Sequence, residues 1–286
     1  MPNAELVERL RAHLQNDFSR ELLQGALDAL VQPNVNTRIQ HFSVSLRELS
    51  VYSLEQLAPD AAAIERCSWY KQVPETEGPT RRQRALYAGR GGLPDRFIRD
   101  ELKLDPKEMF QEFGPAFQEL NKRTHLRPNT VITDPLEVEE FANAGLQALC
   151  DIFDVAEDIR SQLVGRMEGH LHDEAMDTFI NQTIDSLDLL GSRYETGIVW
   201  CEEMKVVGID DSRIHYKISG GVDVTLHWGN GSDAAEMQEN FPFVMKTAAP
   251  VDRPFELQSD LTEVEVDTGS WYGDEEEEGV TEQLQA

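Results

Sequence analysis

The hydrophobic period of this chain changes once, near residue 191, and that change restricts the fold more than any other feature of the sequence. Upstream of it, apolar residues return every three or four positions. Leu6, Leu10 and Leu14 open the pattern, Phe18, Leu22, Ala26 and Leu30 carry it to Pro33, and Ile39, Phe42, Leu46 and Leu49 carry it towards Pro59. Such spacing puts one buried stripe on each helix. Two helix starts are spelled out as Asp105-Pro106-Lys107-Glu108 and Asp134-Pro135-Leu136-Glu137. In each, Asp accepts from orphan backbone amides, proline sits where its missing N–H costs nothing, and Glu closes the box. Phe110, Phe113, Phe117 and Leu120 line a face after the first start; Val138, Phe141, Leu149, Ile152, Ala156, Ile159 and Leu163 line one after the second. The pattern runs on to about Leu190, with Gly165 and Gly169 as the expected break points.

Downstream the period is two. GSRYETG (191–197) reads as a linker; Ile214, Tyr216 and Ile218 then alternate with polar residues, as do Val222, Val224, Leu226 and Trp228. Gly220-Gly221 between the two runs predicts a hairpin turn. Val199 to Val207 supplies a strand before, and Phe243-Val244-Met245 and Leu261 to Val266 supply strands after. The expectation is an α+β chain: an N-terminal all-helical bundle over 1–190, a small antiparallel β-sheet domain of four or five strands over 198–272, and a disordered acidic tail over 273–286.

Charge narrows the function. The 286 residues carry a net −27, with 53 acidic and 26 basic side chains. Residues 1–100 hold 13 of each, so the whole excess lies in 101–286, with 40 acids against 13 bases. A chain this acidic does not bind nucleic acid over its whole surface, because phosphate contacts need clustered Lys and Arg. No run approaches the ~20 apolar residues of a membrane span, and MPNAELVERLRAHL lacks the basic and apolar regions of a signal peptide, so a cytoplasmic protein is expected. Cys67, Cys150 and Cys201 are odd in number, far apart and free of any CxxC pair, which reads as ordinary buried thiols in a reducing compartment.

Three segments can carry chemistry. Thr80-Arg81-Arg82-Gln83-Arg84, Arg90-Gly91-Gly92, Arg96 and Arg99 place six arginines and one acid, Asp95, between 81 and 99. Guanidinium forks match phosphate, a Gly-Gly turn lets backbone approach it, and Trp69, Tyr70 and Tyr87 lie near enough in sequence to stack on bases. Arg81, Arg82, Arg84 and Arg90 are the candidate nucleic-acid contacts; arginines paired with the acidic remainder are the alternative. Asn121-Lys122-Arg123-Thr124-His125 ends the Phe-rich helix, where a cation is favourable at the helix C-terminus, and His125 is a further candidate phosphate contact. The densest run is Arg166 to Asp177. On one continuous helix Arg166, His170, Asp173 and Asp177 fall within about 60° of each other. An imidazole, two carboxylates and a guanidinium on one face can hold a divalent metal or work as an acid/base pair on a phosphate; a solvated helix face is the alternative. His215, Asp223, His227 and Asp233 mark the polar side of the hairpin and its exit loop, where metal or acid/base work competes with a wet sheet face.

Taken in order, Phe42-Ser-Val-Ser-Leu-Arg47-Glu48-Leu49, Cys67-Ser-Trp69-Tyr70, Thr80-Arg81-Arg82-Gln83-Arg84 with Gly91-Gly92-Leu93, and Leu120-Asn-Lys122-Arg123-Thr124-His125 form a recognisable series. Ser219-Gly220-Gly221-Val222-Asp223-Val224, Phe241-Pro242-Phe243 and Asp267-Thr268-Gly269-Ser270-Trp271-Tyr272 continue it. Over roughly residues 17–272 the chain resembles the predicted pPIWI-associating nucleases, which are encoded near prokaryotic Argonaute-like genes in defence neighbourhoods. That family is expected to place a His-rich segment at the helix-to-sheet junction, where this chain has Ser192-Arg193-Tyr194-Glu195. A looser resemblance is to HEPN-type helical ribonucleases, through Arg166 and His172 with five residues between them.

The resemblance implies a defence-associated nuclease or nucleic-acid sensor acting on a phosphodiester. The helical spacing makes Arg166, His170, Asp173 and Asp177 the expected chemical group, with a divalent metal as the candidate cofactor, and a homodimer through the helical domain is a candidate assembly. The charge segregation supports a rival: a non-catalytic acidic module, antitoxin-like or a nucleic-acid mimic, docking a basic partner protein.

Overall fold

A computed structural model of the chain describes residues 2–32, 35–124, 131–169, 172–230 and 233–272; the side chains of His172, Asp173 and Tyr272 also fall outside that description. The chain is α+β and divides into two compact units, Met1–Met167 with Ile209–Arg213, and Glu168–Gly208 with Ile214–Ala286.

The first unit is helical. Its elements are α1 (Ala4–His13), α2 (Asp17–Leu30), α3 (Arg38–Leu57), α4 (Ala61–Arg66), α5 (Arg81–Arg90), α6 (Asp95–Asp100), α7 (Pro106–Gln111), α8 (Phe113–Thr124) and α9 (Pro135–Glu168). Both Asp-Pro starts are formed. The Asp105 carboxylate accepts from the Lys107 amide at 2.8 Å, and Asp134 accepts from Leu136 and Glu137 at 2.9 and 3.1 Å. α3 is the central helix, packed against α2, α5 and α8. Its apolar stripe, Ile39, Phe42, Leu46 and Leu49, is fully buried, as are Leu10, Leu23, Phe113, Leu120, Leu146 and Leu149 from its neighbours. Each such side chain contributes roughly 1.5–3 kcal/mol through burial. α9 runs 34 residues before ending at Glu168, in the interval where Gly165 and Gly169 predict a break.

The second unit holds α10 (His172–Ile180), α11 (Asp185–Asp188) and a four-stranded antiparallel sheet in the order β1-β2-β3-β4, with β1 at Arg193–Ile209, β2 at Arg213–Trp228, β3 at Ala235–Pro250 and β4 at Glu263–Val266. α10 and α11, which continue the helical sequence pattern, thus belong to the unit that holds the sheet. Phe243 faces Val266 and Met245 faces Val264 in the β3–β4 register. Ile214, Tyr216, Ile218, Val222, Val224 and Leu226 of β2 are buried, while Arg213, Lys217 and Asp223 are exposed, so one face is apolar and the other wet. Phe179 of α10 lies on Phe243 at 4.3 Å between ring centroids, closing the apolar face.

The expected turn at Gly220-Gly221 is not formed; β2 runs straight through both glycines. A Cβ on Gly220 would lie 1.9 Å from the Trp200 carbonyl oxygen, and one on Gly221 would lie 2.2 Å from the Trp200 indole. These glycines therefore make room for the neighbouring strand rather than bend the chain. The β1–β2 connection is at Asp210-Asp211-Ser212, where the Asp210 carboxylate accepts from the amides of Ser212 and Arg213, both at 2.7 Å. No helix among the described residues is long and apolar enough to cross a membrane. Cys67 and Cys150 are buried as expected, and burial pushes both thiols up to about 12; Cys201 is half-buried.

Candidate nucleic-acid interface

The arginine-rich segment folds as α5 because Thr80 and Gln83 close a capping box: the Thr80 side chain accepts from the Gln83 amide, and the Gln83 side chain accepts from the Thr80 amide at 2.9 Å. Thr-Arg-Arg-Gln is a readable start signal that the charge pattern of the segment obscures. The helix then sends its arginines in different directions.

Arg90, at its C-terminal end, is a core residue with 1% of its side chain exposed. It pairs with Asp95 at 2.7 Å, donates to the Leu93 carbonyl, and lies 5.4 and 4.6 Å from the ring centroids of Trp69 and Phe110. Burial lowers its pKa, and Asp95 acts against that shift. Arg90 therefore offers no solvent-facing donor to a phosphate, contrary to the expectation from its place in the arginine run. Gly91-Gly92 is likewise committed internally. Gly91 has φ +56°, Gly92 donates to the Asp210 carbonyl at 2.7 Å, and a Cβ on Gly92 would lie 2.4 Å from the Asp211 carbonyl oxygen. The close approach these glycines allow is to the loop 209–213, not to a phosphate. Arg84 donates to the Ala58 carbonyl at the end of α3, and Trp69 donates to the Gly91 carbonyl at 2.9 Å.

The N-terminal end of α5 differs. Arg81 is half-buried, and its guanidinium donates to the Ser50 hydroxyl of α3 at 2.9 Å and to the Asn121 amide oxygen of α8 at 2.8 Å. Among the described residues no carboxylate lies within ion-pair distance of it. Burial lowers its pKa, and the neighbouring Arg47 lowers it further. Arg81 and the exposed Arg82 border a cleft of about 420 Å³ with Thr80, Phe117, Gln118 and Asn121. A half-desolvated cation held by two neutral oxygens, beside a second cation and at the rim of a cleft, favours an incoming anion. The carboxylate nearest in sequence on α8, Glu119, is already taken by Arg123 at 2.5 Å and Lys122 at 3.1 Å, which hold its pKa below the ordinary value.

The run around residue 170 is divided. Arg166 is exposed near the end of α9 and Asp177 is exposed on α10, in different compact units. His170 and the side chain of Asp173 lie outside the described residues, as does His125. Because α9 stops at Glu168 and α10 begins at His172, the face counted on one continuous helix does not extend from Arg166 to Asp177. On the sheet, Asp223 accepts from Asn240 at 3.1 Å, and His227 has Glu195 and Glu236 at 3.7 and 3.9 Å.

One cluster has no sequence signature. His13, at the end of α1, meets Asp154 and Glu157 of α9, with Nε2 at 3.0 Å from Asp154 and Nδ1 at 3.2 Å from Glu157. One ligand atom from each residue fits within 4.8 Å, which makes this the group among the described residues able to gather round a metal ion. Asp154 and Glu157 share a helix face at i, i+3, but their partner is more than 140 residues away.

Two family models match the chain, each describing a predicted pPIWI-associating nuclease, one over residues 11–149 and the other over 156–272. No curated protein and no solved structure matches it. With both models carrying the same description and together spanning residues 11–272, the chain belongs to the predicted pPIWI-associating nucleases.

Proposed function

We propose that this chain acts on or senses nucleic acid as a phosphodiester-directed protein of a defence system, and that Arg81 and Arg82 contact its phosphates. The observation that carries this reading is the environment of Arg81, a half-buried guanidinium with neutral partners at the edge of a cleft. The family description supports the substrate class. The remaining surface is too acidic for diffuse binding, so the contact is local and its affinity falls with salt. The test is fluorescence anisotropy on single-stranded RNA and DNA oligonucleotides across a salt series. Arg81→Ala with Arg82→Ala weakens binding at least tenfold and reduces the slope of log K against log salt by about 1–2. Unchanged affinity and slope would discard the assignment.

A second reading draws on the association named in the family description and on the −27 charge, whose excess lies in 101–286. Here the chain docks a basic surface of a pPIWI protein. Co-purification that is tight at low salt and lost at high salt supports it, and retention of oligonucleotide in place of protein argues against it.

A further inference from the structure

Asp154, Glu157 and Arg160 recur at i, i+3 and i+6 along α9, so one helix face carries two carboxylates and a guanidinium past the end of α1. His13 completes the group. Its ring lies on Phe153, with centroids 5.1 Å apart and planes at 25°, and its side chain is 11% exposed, so its orientation is fixed by packing. Both ring nitrogens face carboxylate oxygens at about 3 Å. A neutral imidazole has one N–H and can donate to only one of them. The other nitrogen then turns a lone pair towards an oxygen, which is unfavourable unless a proton or a metal ion lies between.

The two carboxylates are not equivalent. Asp154 is anchored on its other oxygen by Arg9 and accepts at the ring's Nε2, the arrangement by which a carboxylate sets the tautomer of a metal-binding histidine. Glu157 has no described partner except His13 and a side chain 73% exposed. His13 and Glu157 also border a cavity of about 510 Å³, and Arg160 lines the same cavity. The Arg160 Nη1 is buried with no hydrogen-bond partner among the described residues, a donor left for an anion.

We propose that His13 Nδ1 and Glu157 hold a divalent first-row metal ion at the mouth of this cavity, with Asp154 orienting the imidazole, and that Arg160 meets a phosphate oxygen bound to the ion. The phosphate half rests on the phosphodiester reading above; the metal half stands without it. One imidazole and one carboxylate, with the remaining positions left to water and phosphate, suit an ion that keeps much of its hydration, such as manganese.

The experiment titrates chelator-stripped full-length protein with Mn²⁺ and follows the loss of the free-ion signal by electron paramagnetic resonance. One ion binds per chain. His13→Gln and Glu157→Gln each weaken binding at least tenfold, and Asp154→Asn, acting through the ring, weakens it by about tenfold. Glu157 is a surface side chain, so Glu157→Gln leaves the fold intact and keeps the test decisive. Inorganic phosphate tightens Mn²⁺ binding in the wild type and not in Arg160→Met, whose metal affinity alone stays within twofold. Absence of saturable Mn²⁺ binding, or wild-type affinity in Glu157→Gln, overturns the metal site; a phosphate effect that survives Arg160→Met overturns the anion half. The Arg81→Ala, Arg82→Ala variant keeps its Mn²⁺ site. Unchanged oligonucleotide affinity in that variant, with Mn²⁺ still bound, therefore overturns the cleft alone, whereas weakened oligonucleotide binding in a protein that binds no Mn²⁺ overturns this site alone.

Discussion

Arg81 and Arg90 stand at opposite ends of one ten-residue helix, and their surroundings differ in kind. Arg90 has a carboxylate, a carbonyl and two aromatic faces, and almost no solvent. Arg81 has a hydroxyl, an amide oxygen and another arginine. The same residue type serves the core at one end and leaves charge unanswered at the other. An arginine count therefore says little about a nucleic-acid interface; the partner of each guanidinium says more.

The largest effect is expected at the buried end. Arg90→Ala removes a fully buried side chain from between Trp69 and Phe110 and leaves the Leu93 carbonyl without its donor. Urea denaturation is expected to show a loss of about 3 kcal/mol. Arg90→Met keeps most of the volume and releases the desolvated charge, while Asp95, 59% exposed, rehydrates at little cost. It is therefore expected to recover most of that loss. Equal destabilisation by both substitutions would mean that the ion pair, not packing, holds this end of the helix.

The next effect converts one end into the other. Asn121→Asp places a carboxylate against the Arg81 guanidinium, 2.8 Å from the present amide oxygen. Stability is expected to rise by about 1 kcal/mol, the scale of a hydrogen bond that gains charge. Oligonucleotide affinity is expected to fall about tenfold, because the cation is then neutralised from within. A gain in stability with no loss of affinity would separate the cleft from nucleic-acid binding.

Which of these features could be read from sequence depends on the distance over which the chemistry acts. The starts of α7 and α9 were legible because Asp, Pro and Glu act within four residues of one another. The capping box at Thr80 and Gln83 has the same range, but the two arginines inside it carry a phosphate-binding pattern that masks it. The Gly220-Gly221 turn was refutable from alternation alone. A two-residue loop there would set Ile218 opposite Asp223 and Tyr216 opposite Thr225, mixing apolar and polar groups on each face. The apolar residues in fact keep one parity from Ile214 to Leu226, as a single strand requires. What local pattern could not supply is tertiary. Ser50 and Asn121 lie 31 and 40 residues from Arg81, and His13 lies 141 from Asp154. No spacing rule connects positions so far apart, so the cleft and the His13 cluster emerge only once the helices are packed.

The smallest effect concerns why Arg81 lacks an acid. Glu119 stands two residues before Asn121 on α8, but Arg123 and Lys122 occupy it. Their hydrogen bonds and charges hold its carboxyl below the ordinary glutamate value of about 4.3. With the folded value depressed, the stabilisation is complete above the unfolded value and disappears as pH falls through the lowered folded one. The side chain is 31% exposed, so the contribution is modest, about 0.5 kcal/mol. Glu119→Gln is expected to cost that amount at pH 7 and low salt, less at high salt, and progressively less as pH falls through the lowered folded value. Because it frees Arg123 and Lys122 without touching Arg81, oligonucleotide affinity should stay level or rise slightly. A fall in affinity would show that Glu119 itself shapes the cleft.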